Sequence, residues 1–323
     1  MIDLQTPITD IELLRCRTLF REGFAFTSLA NIGNPATVFD AIIIRNPEDA
    51  QCFSPRLGVS SRTLQNHIDF VNEHQLEKAV VIAESLDFLS NCPSLQYLEV
   101  IPADTAIKFD YSPLNDMPNL LGLKCATEYG VHFSQKTTLD YSNLFALMDL
   151  DIAGPGHLGI SQLSSIRRLN AFGQRPRTLE EMVSCNSLSD LRVTSCAVRS
   201  LSGLASAEKL TSLFLWHNRS LSDVSEILSC AETLKSLSIR SCPRITDFSF
   251  LGKLYNLEHL ELIGNNELPD LRFLSGIKNL RCFVFNMNVL DGDLSYCLPI
   301  PYVSSLRNRK HYNYLDSELP KIR

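Results

Sequence analysis

Apolar residues recur along this chain in a regular pattern that predicts most of its structure. Five segments carry an apolar residue at the first, fourth and sixth positions and asparagine or cysteine at the ninth. They begin at Leu188, Leu210, Leu234, Leu257 and Leu280, which are 22, 24, 23 and 23 residues apart. Apolar residues two apart are typical of a short strand with one buried face, because side chains alternate along a strand. The pattern therefore predicts a row of parallel short strands.

The same register continues toward the N-terminus. Copies begin at Leu95, Leu120, Leu147 and Ile166, and a degenerate first copy begins at Leu76. Apolar residues also stand six and three positions before each first residue of the nine full copies, which supports the register independently. One copy cannot bury its own apolar face, so neighbouring copies must stack, and each buried Leu, Ile or Val contributes roughly 1.5–3 kcal/mol.

The ninth position lies where the chain leaves each strand. An asparagine there can bond to turn backbone that would otherwise be buried without a partner. We therefore expect Asn265 to be structural and Asn286 to lie on the open face of the sheet. The stretches opposite the sheet are too short for long helices and predict short helical or 3₁₀ turns, as at 201–210 and 243–251. A loop over 127–138 is expected to project.

The ends of the chain do not show the repeat, and they predict caps that cover the open edges of the stack. Residues 1–75 are predicted to form an α/β cap, residues 76–288 about ten repeats, and residues 289–323 a C-terminal cap. The elements predicted within the N-terminal cap are two helices and two strands: helices over 8–20 and 61–72, and strands over 24–29 and 38–44.

Composition and charge narrow the possible functions. The 323 residues carry a net charge of −6, which gives no basic footprint for nucleic acid and no reason to bind anionic lipid. No apolar run is long enough to span a membrane, and the N-terminus lacks a secretory signal. The ten cysteines include no C-x-x-C pair and no histidine spacing typical of zinc. We therefore expect reduced, buried cysteines, no metal or other cofactor, and a cytoplasmic location.

The repeat motif resembles that of the leucine-rich repeat superfamily, in particular its short-repeat class that includes bacterial internalins. The resemblance covers roughly residues 76–288, and the connector Ile245-Thr246-Asp247, followed by Leu251, Leu254 and Leu257, is similar to that class. The tail from Asn288 to Pro320 resembles the ending of a group of bacterial repeat proteins. The resemblance implies an α/β solenoid, a curved right-handed superhelix with a parallel sheet on its concave face and short helical or 3₁₀ turns on its convex face. It also implies a bacterial setting.

The register predicts which side chains stand on the concave face. Its middle strands combine acidic, arginine and aromatic residues, and the single tryptophan is among them. Aromatic and arginine side chains are the usual anchors of protein interfaces. The residues predicted to bind a partner are Asp149, Asp151, Arg168, Phe172, Asp190, Arg192, Phe214, Trp216, Arg240, His259 and Glu261. The alternative for the charged members is a solvated set of cross-strand ion pairs, with Arg168 as partner of the two aspartates.

These observations favour a non-enzymatic module that binds another protein, with no nucleic acid or membrane partner. One form in a bacterial setting is an immunity or antitoxin-like protein that covers a toxin. A second hypothesis is an enzyme or ligand-binding activity in residues 1–75, where His67 and His74 lie seven residues apart, with the repeats selecting the substrate. A third is a scaffold in a larger assembly. No catalytic residue is predicted, because no supporting motif accompanies the acidic pair.

Overall fold

The computed structural model describes residues 19–29, 39–45, 60–103, 109–125, 139–154 and 156–322. It divides into two compact units, Met1–Ile166 and Arg167–Arg323. The helix predicted over residues 8–20 lies outside the described residues except for its last two, which belong to a strand instead. The loop predicted over 127–138 lies wholly outside them.

The first unit contains one α-helix, short 3₁₀ turns and nine strands among its described residues. The α-helix α1 is Leu64–His74, and the 3₁₀ turns are Asp87–Asn91, Ser112–Asp116 and Ile160–Gln162. The strands are β1 Leu19–Arg21, β2 Phe24–Thr27, β3 Ala41–Arg45, β4 Lys78–Ala83, β5 Tyr97–Pro102, β6 Gly122–Cys125, β7 Leu139–Asp140, β8 Asp149–Ala153 and β9 His157–Leu158. The main sheet has the order β1-β2-β3-β4-β5-β6-β8, and β7 pairs with β9.

The second unit contains nine strands and six 3₁₀ turns among its described residues. The strands are β10 Arg168–Phe172, β11 Asp190–Thr194, β12 Ser212–Trp216, β13 Ser236–Arg240, β14 His259–Ile263, β15 Glu267–Leu268, β16 Cys282–Phe285, β17 Asn288–Val289 and β18 Tyr302–Ser304. The 3₁₀ turns are Leu204–Ser206, Ser225–Cys230, Ser249–Lys253, Arg272–Gly276, Ser295–Cys297 and Asp316–Glu318. The sheet order is β10-β11-β12-β13-β14-β16-β18.

Strand pairing in the second unit is parallel and keeps equivalent repeat positions side by side. Leu191 pairs with Leu213, which pairs with Leu237, and that row continues through Leu260 to Phe283. These five side chains are at most 2% exposed. The predicted register and fold class are therefore confirmed: stacked apolar rows form the core between a parallel sheet and a layer of 3₁₀ turns.

The turn asparagines follow the prediction in one copy and depart from it in another. Asn218 is fully buried, its Nδ2 donates to the Val193 carbonyl at 2.8 Å, and its Oδ1 accepts from the Cys196 amide at 2.9 Å. Asn265, by contrast, is exposed, and the prediction that it is structural is wrong. Its neighbour Asn266 donates instead to the backbone carbonyls of repeat residues 242 and 245, at 3.1 and 2.7 Å.

The cause of this shift is visible in the turn backbone. The residue that precedes the ninth position has φ of 51–55° in three copies, at Ser195, His217 and Ser241, whereas Gly264 has φ of 158°. The different backbone conformation at Gly264 turns Asn265 toward solvent and brings the Asn266 side chain within hydrogen-bond distance of the previous turn. Asn286 is partly exposed, and its Oδ1 accepts a hydrogen bond from the Gly264 amide at 2.7 Å, so this side chain also binds turn backbone.

The parallel stack begins earlier than the motif suggested. β3 pairs in parallel with β4, so a strand of the predicted cap already continues the sheet, and β1 and β2 close this edge in antiparallel fashion. The helix predicted over 61–72 is present as α1. It begins with a capping box, in which the Asn66 amide donates to the Thr63 hydroxyl and the Thr63 amide donates to the Asn66 side chain.

The tail covers the last strand of the second unit. The Val303 amide in β18 donates to the Pro320 carbonyl at 2.8 Å, and the Ile322 amide donates to the Pro301 carbonyl at 2.9 Å. A sheet edge with unpaired backbone groups is prone to further strand pairing. Residues 319–322 satisfy this edge, as a C-terminal cap must.

Candidate interaction surface

The nine predicted site residues of the second unit share one face of its sheet, which we call the open face. In β12 the side chains of Leu213 and Leu215 are 1% and 0% exposed, so Phe214 and Trp216 between and after them point the other way. Trp216 is 43% exposed, and Phe172 on β10 is 47% exposed. The sheet that carries them is held by continuous backbone pairing, so the rings stand on a rigid support.

Arginine and aromatic side chains contact each other at the centre of this face. The guanidinium carbons of Arg192 and Arg240 lie 5.9 and 5.3 Å from the centroid of the Phe214 ring. Trp216 meets Phe214 edge-on, with ring centroids 6.3 Å apart. Such cation–π and edge-to-face contacts hold large side chains in fixed orientations. We call Phe172, Arg192, Phe214, Trp216 and Arg240 the aromatic–arginine patch.

The acidic residues of the open face bind its arginines unequally. Glu261 accepts two hydrogen bonds from Arg240, at 2.7 Å each to Nε and Nη2, and a third from the Ser238 hydroxyl at 2.7 Å. Asp190 meets Arg192 only through Nε, at 3.4 Å. Glu261 and Arg240 therefore form the expected kind of cross-strand ion pair. The terminal nitrogens of Arg192 are not bonded to Asp190 and can donate to another molecule.

The remaining predicted members lie at the margin of the patch. Arg168 and Asp190 stand in the first row of the sheet, level with His259 and Cys282 on later strands. His259 also lines a groove of about 740 Å³ beside the last strand, together with Cys282 and Tyr302. Burial raises the pKa of the Cys282 thiol, which disfavours the thiolate and therefore nucleophilic chemistry there.

Asp149 and Asp151 are a correction to the predicted site. Both lie in β8 of the first unit, and they are 9% and 3% exposed, so a partner cannot reach them as it can reach Trp216. The neighbouring strand carries Lys124, which is 3% exposed and forms an ion pair with Glu99 at 3.0 Å. This face of the first unit holds buried charges, and the sequence pattern did not reveal that it is covered.

The same face of the first unit is apolar closer to the N-terminus. Its buried residues form a second hydrophobic cluster, against which Tyr97 and Ile101 pack: Ala25, Leu29, Ala41, Ile43, Val80 and Ile82. Strands buried on both faces lose the polar alternation that marks an open surface. Only the second unit therefore presents an open sheet face among the described residues.

The histidine pair of the N-terminal region takes part in packing. His67 is fully buried, contacts the Phe24 ring edge-on at 5.3 Å between centroids, and faces the Thr63 carbonyl through Nδ1 at 2.8 Å. Burial lowers the pKa of its imidazole, which favours the neutral form. His74 packs against Phe70, with ring centroids 4.4 Å apart. His67 is therefore a buried packing residue rather than an accessible group of a site.

Two residues that sequence reasoning did not single out complete the patch. Thr194 lies in register between Phe172 and Trp216 and is 8% exposed, and His217 meets the Trp216 ring edge-on at 5.2 Å between centroids. The register alone could have found Thr194, because it stands in the same row as both aromatics. His217 follows the strand in a left-handed conformation, which strand alternation does not predict.

Within the described ranges no group of three or more histidine, cysteine or carboxylate side chains is placed to hold a metal ion. None of the helices among those residues is long and apolar enough to cross a membrane. The eight cysteines in these ranges are free, and all but Cys282 are buried.

A family model described as leucine-rich repeats, in two copies, matches residues 232–276. No curated protein matches the chain. Among solved structures, the chain is similar to an internalin from Listeria monocytogenes, with 15% identity over 78% of this chain and 84% of that chain and a TM-score of 0.39. A leucine-rich repeat protein of Leptospira interrogans gives 14% identity, 79% and 83% coverage, and a TM-score of 0.43.

A third similar structure is the functional domain of InlJ from Listeria monocytogenes, at 15% identity and a TM-score of 0.38. The match covers 72% of this chain and 65% of that chain, which is less than two thirds of its length. Leucine-rich repeats suggest a scaffold for protein interaction. The repeat register, the stacked parallel strands and the match to two repeat copies support a leucine-rich repeat solenoid of the short-repeat class.

Proposed function

We propose that the chain binds a partner protein on the open face of the second unit, with the aromatic–arginine patch at the centre of the interface. The observation that carries the proposal is the exposure of Trp216 and Phe172, at 43% and 47%, on a rigid sheet. Large exposed aromatic side chains beside arginines are typical of binding surfaces and of their energetic centres.

The energetics of the patch support this role. Covering the exposed part of each ring removes on the order of 100 Å² of apolar area from water, which corresponds to roughly 2 kcal/mol per ring. The arginines and Phe214 are already ordered by mutual contacts, so little side-chain entropy is lost when a partner binds. A few such anchors supply most of the affinity in many interfaces.

The proposal includes several finer points that rest on composition and setting. We propose a non-enzymatic protein of the cytoplasm, because the described cysteines are free and most are buried. We propose a protein partner rather than nucleic acid or membrane, because the net charge is −6. Within this class, an antitoxin-like protein that covers a cognate toxin is one concrete form.

A direct test compares two exposed aromatic residues. The full chain is immobilised as wild type, Trp216→Ala and Tyr255→Ala, and proteins bound from native lysate are quantified. Tyr255 is the control because it is 40% exposed and lies in the turn before β14 rather than in a strand of the sheet. In a subsequent titration with the captured partner, we expect Trp216→Ala to weaken the binding free energy by about 2 kcal/mol or more. Equal binding by wild type and Trp216→Ala contradicts the proposal.

The antitoxin-like form has its own test. The chain is expressed together with the product of an adjacent toxin-like reading frame, and growth is measured. We expect protection by wild type and Tyr255→Ala, and loss of protection with Trp216→Ala. If the wild type does not protect growth, the antitoxin-like role is rejected. The capture experiment then tests separately whether the open face binds a partner.

A further inference from the structure

Three neighbouring side chains of the open face form a slot. Phe172, Thr194 and Trp216 stand in one row of paired residues, with Thr194 in the middle. Parallel strands are about 4.8 Å apart, so the two aromatic residues are separated by roughly 10 Å at the backbone. Thr194 is only 8% exposed, whereas its neighbours are 47% and 43% exposed. A short side chain between two tall ones forms the floor of a slot, which we call the Phe172–Trp216 slot.

The width of the slot suits one apolar side chain. An aliphatic group stacked on both rings needs about 3.5–4 Å on each side, which roughly matches the separation of the two residues. A cation could also stack on aromatic rings, but Arg240 stands in the same row beside Trp216, and Arg192 lies two residues before Thr194 in β11. Glu261 neutralises Arg240, so Arg192, which Asp190 contacts only through Nε, is the cation that disfavours a lysine or arginine in the slot.

Arg192 supplies the second half of the recognition. Its side chain is 47% exposed, and its hydrogen bonding consists of the 3.4 Å contact from Nε to Asp190. Its two terminal nitrogens are therefore available, and the planar fork of a guanidinium binds a carboxylate through two parallel hydrogen bonds. Arg240 differs, because Glu261 already occupies its Nε and Nη2.

We propose that the partner contributes an acidic–apolar segment, with an apolar side chain in the Phe172–Trp216 slot and a nearby carboxylate bound by Arg192. This inference rests on the proposed function, and it specifies the chemistry of the partner at that surface. The fit is by shape and charge complementarity, because Arg192 borders the apolar slot and its terminal nitrogens are free to donate.

Trp216 is the only tryptophan of the chain, so its fluorescence reports on the slot alone. The probes are three blocked peptides that alternate leucine with glutamate, glutamine or lysine and are otherwise identical. Each is titrated into the full chain. We expect the glutamate peptide to bind about tenfold more tightly than the lysine peptide, with the glutamine peptide between them, because charge-assisted hydrogen bonds add to the apolar contact.

Two variants separate the parts of the mechanism. Arg192→Gln should remove most of the roughly tenfold preference for the glutamate peptide over the lysine peptide while leaving the glutamine peptide nearly unchanged. Arg199→Gln is the matched control, because Arg199 is exposed and lies outside the open face. Phe172→Ala should weaken the glutamate and glutamine peptides alike, since it removes one wall of the slot.

The outcomes distinguish this inference from the proposed function. Equal binding of all three peptides, or tighter binding of the lysine peptide, overturns the acidic–apolar preference but leaves the open face as a binding surface. An unchanged preference in Arg192→Gln overturns the role of that residue. No fluorescence response to any peptide up to about 5 mM overturns the inference as a whole, whereas the proposed function is decided by the Trp216→Ala capture experiment.

Discussion

The buried turn asparagine offers the sharpest test of how the repeats are held together. Asn218→Ala removes a side chain that is fully buried and bonds to the Cys196 amide and the Val193 carbonyl at 2.9 and 2.8 Å. Both bonds connect one turn to the previous repeat. The substitution leaves a buried amide and carbonyl without these partners.

The expected magnitude follows from those two groups. An unsatisfied buried polar group costs about 1–3 kcal/mol, and two such groups that relax partly give a loss of about 2–4 kcal/mol in the free energy of unfolding. In a unit of this size, that loss lowers the melting temperature by roughly 5–15 °C. The matched control is Asn265→Ala, because Asn265 is exposed, and its substitution should change stability by less than about 0.5 kcal/mol.

Urea titration followed by Trp216 fluorescence is the assay, because the single tryptophan lies in the same unit as both asparagines. Circular dichroism provides a second probe of the same transition. A loss of stability in Asn265→Ala as large as that in Asn218→Ala refutes the structural assignment of the turn. An unchanged midpoint in Asn218→Ala refutes the argument that these two hydrogen bonds are needed.

The other predictions concern a glycine, a histidine and the cysteines. Gly203→Ala should destabilise the second unit by about 2 kcal/mol or more, because φ is 104° and the added Cβ would lie 2.6 Å from the Glu180 amide nitrogen. Gly252→Ala is the control, because its added Cβ would meet only ordinary van der Waals contacts and should not destabilise the unit to that extent. Burial lowers the pKa of His157 to about 4, so the neutral imidazole contributes its full stability above about pH 6.5, and up to about 3 kcal/mol is lost as the pH falls toward 4. The urea midpoint of His157→Gln should therefore fall less with decreasing pH than that of the wild type. Equal dependence of the two midpoints on pH rejects the assignment. In the native protein a thiol reagent should react first with Cys282, since it is the one described cysteine that is not buried, and all described cysteines should react after unfolding.

The sequence by itself determined the repeat and the direction of most side chains in the second unit. Apolar residues at fixed spacing can be buried only if successive strands stack in register, and alternation then fixes which residues share a face. Leu213 and Leu215 inside, and Phe214 and Trp216 outside, follow from that rule alone. The 3₁₀ turns follow in the same way, because each connection is too short for a long helix.

Only the tertiary structure decided which of these faces is open. Asp149 and Asp151 obey the same alternation as Trp216, yet they are buried, because exposure depends on what covers a face and the repeat pattern does not encode that. The choice between Asn265 and Asn266 depended on the φ of a single glycine, which the spacing of leucines cannot specify. Likewise, Glu261 binds a terminal nitrogen of Arg240, whereas Asp190 binds Arg192 only through Nε. Residue type alone does not predict this difference, because the positions of the side chains in the folded sheet determine which charged groups form ion pairs.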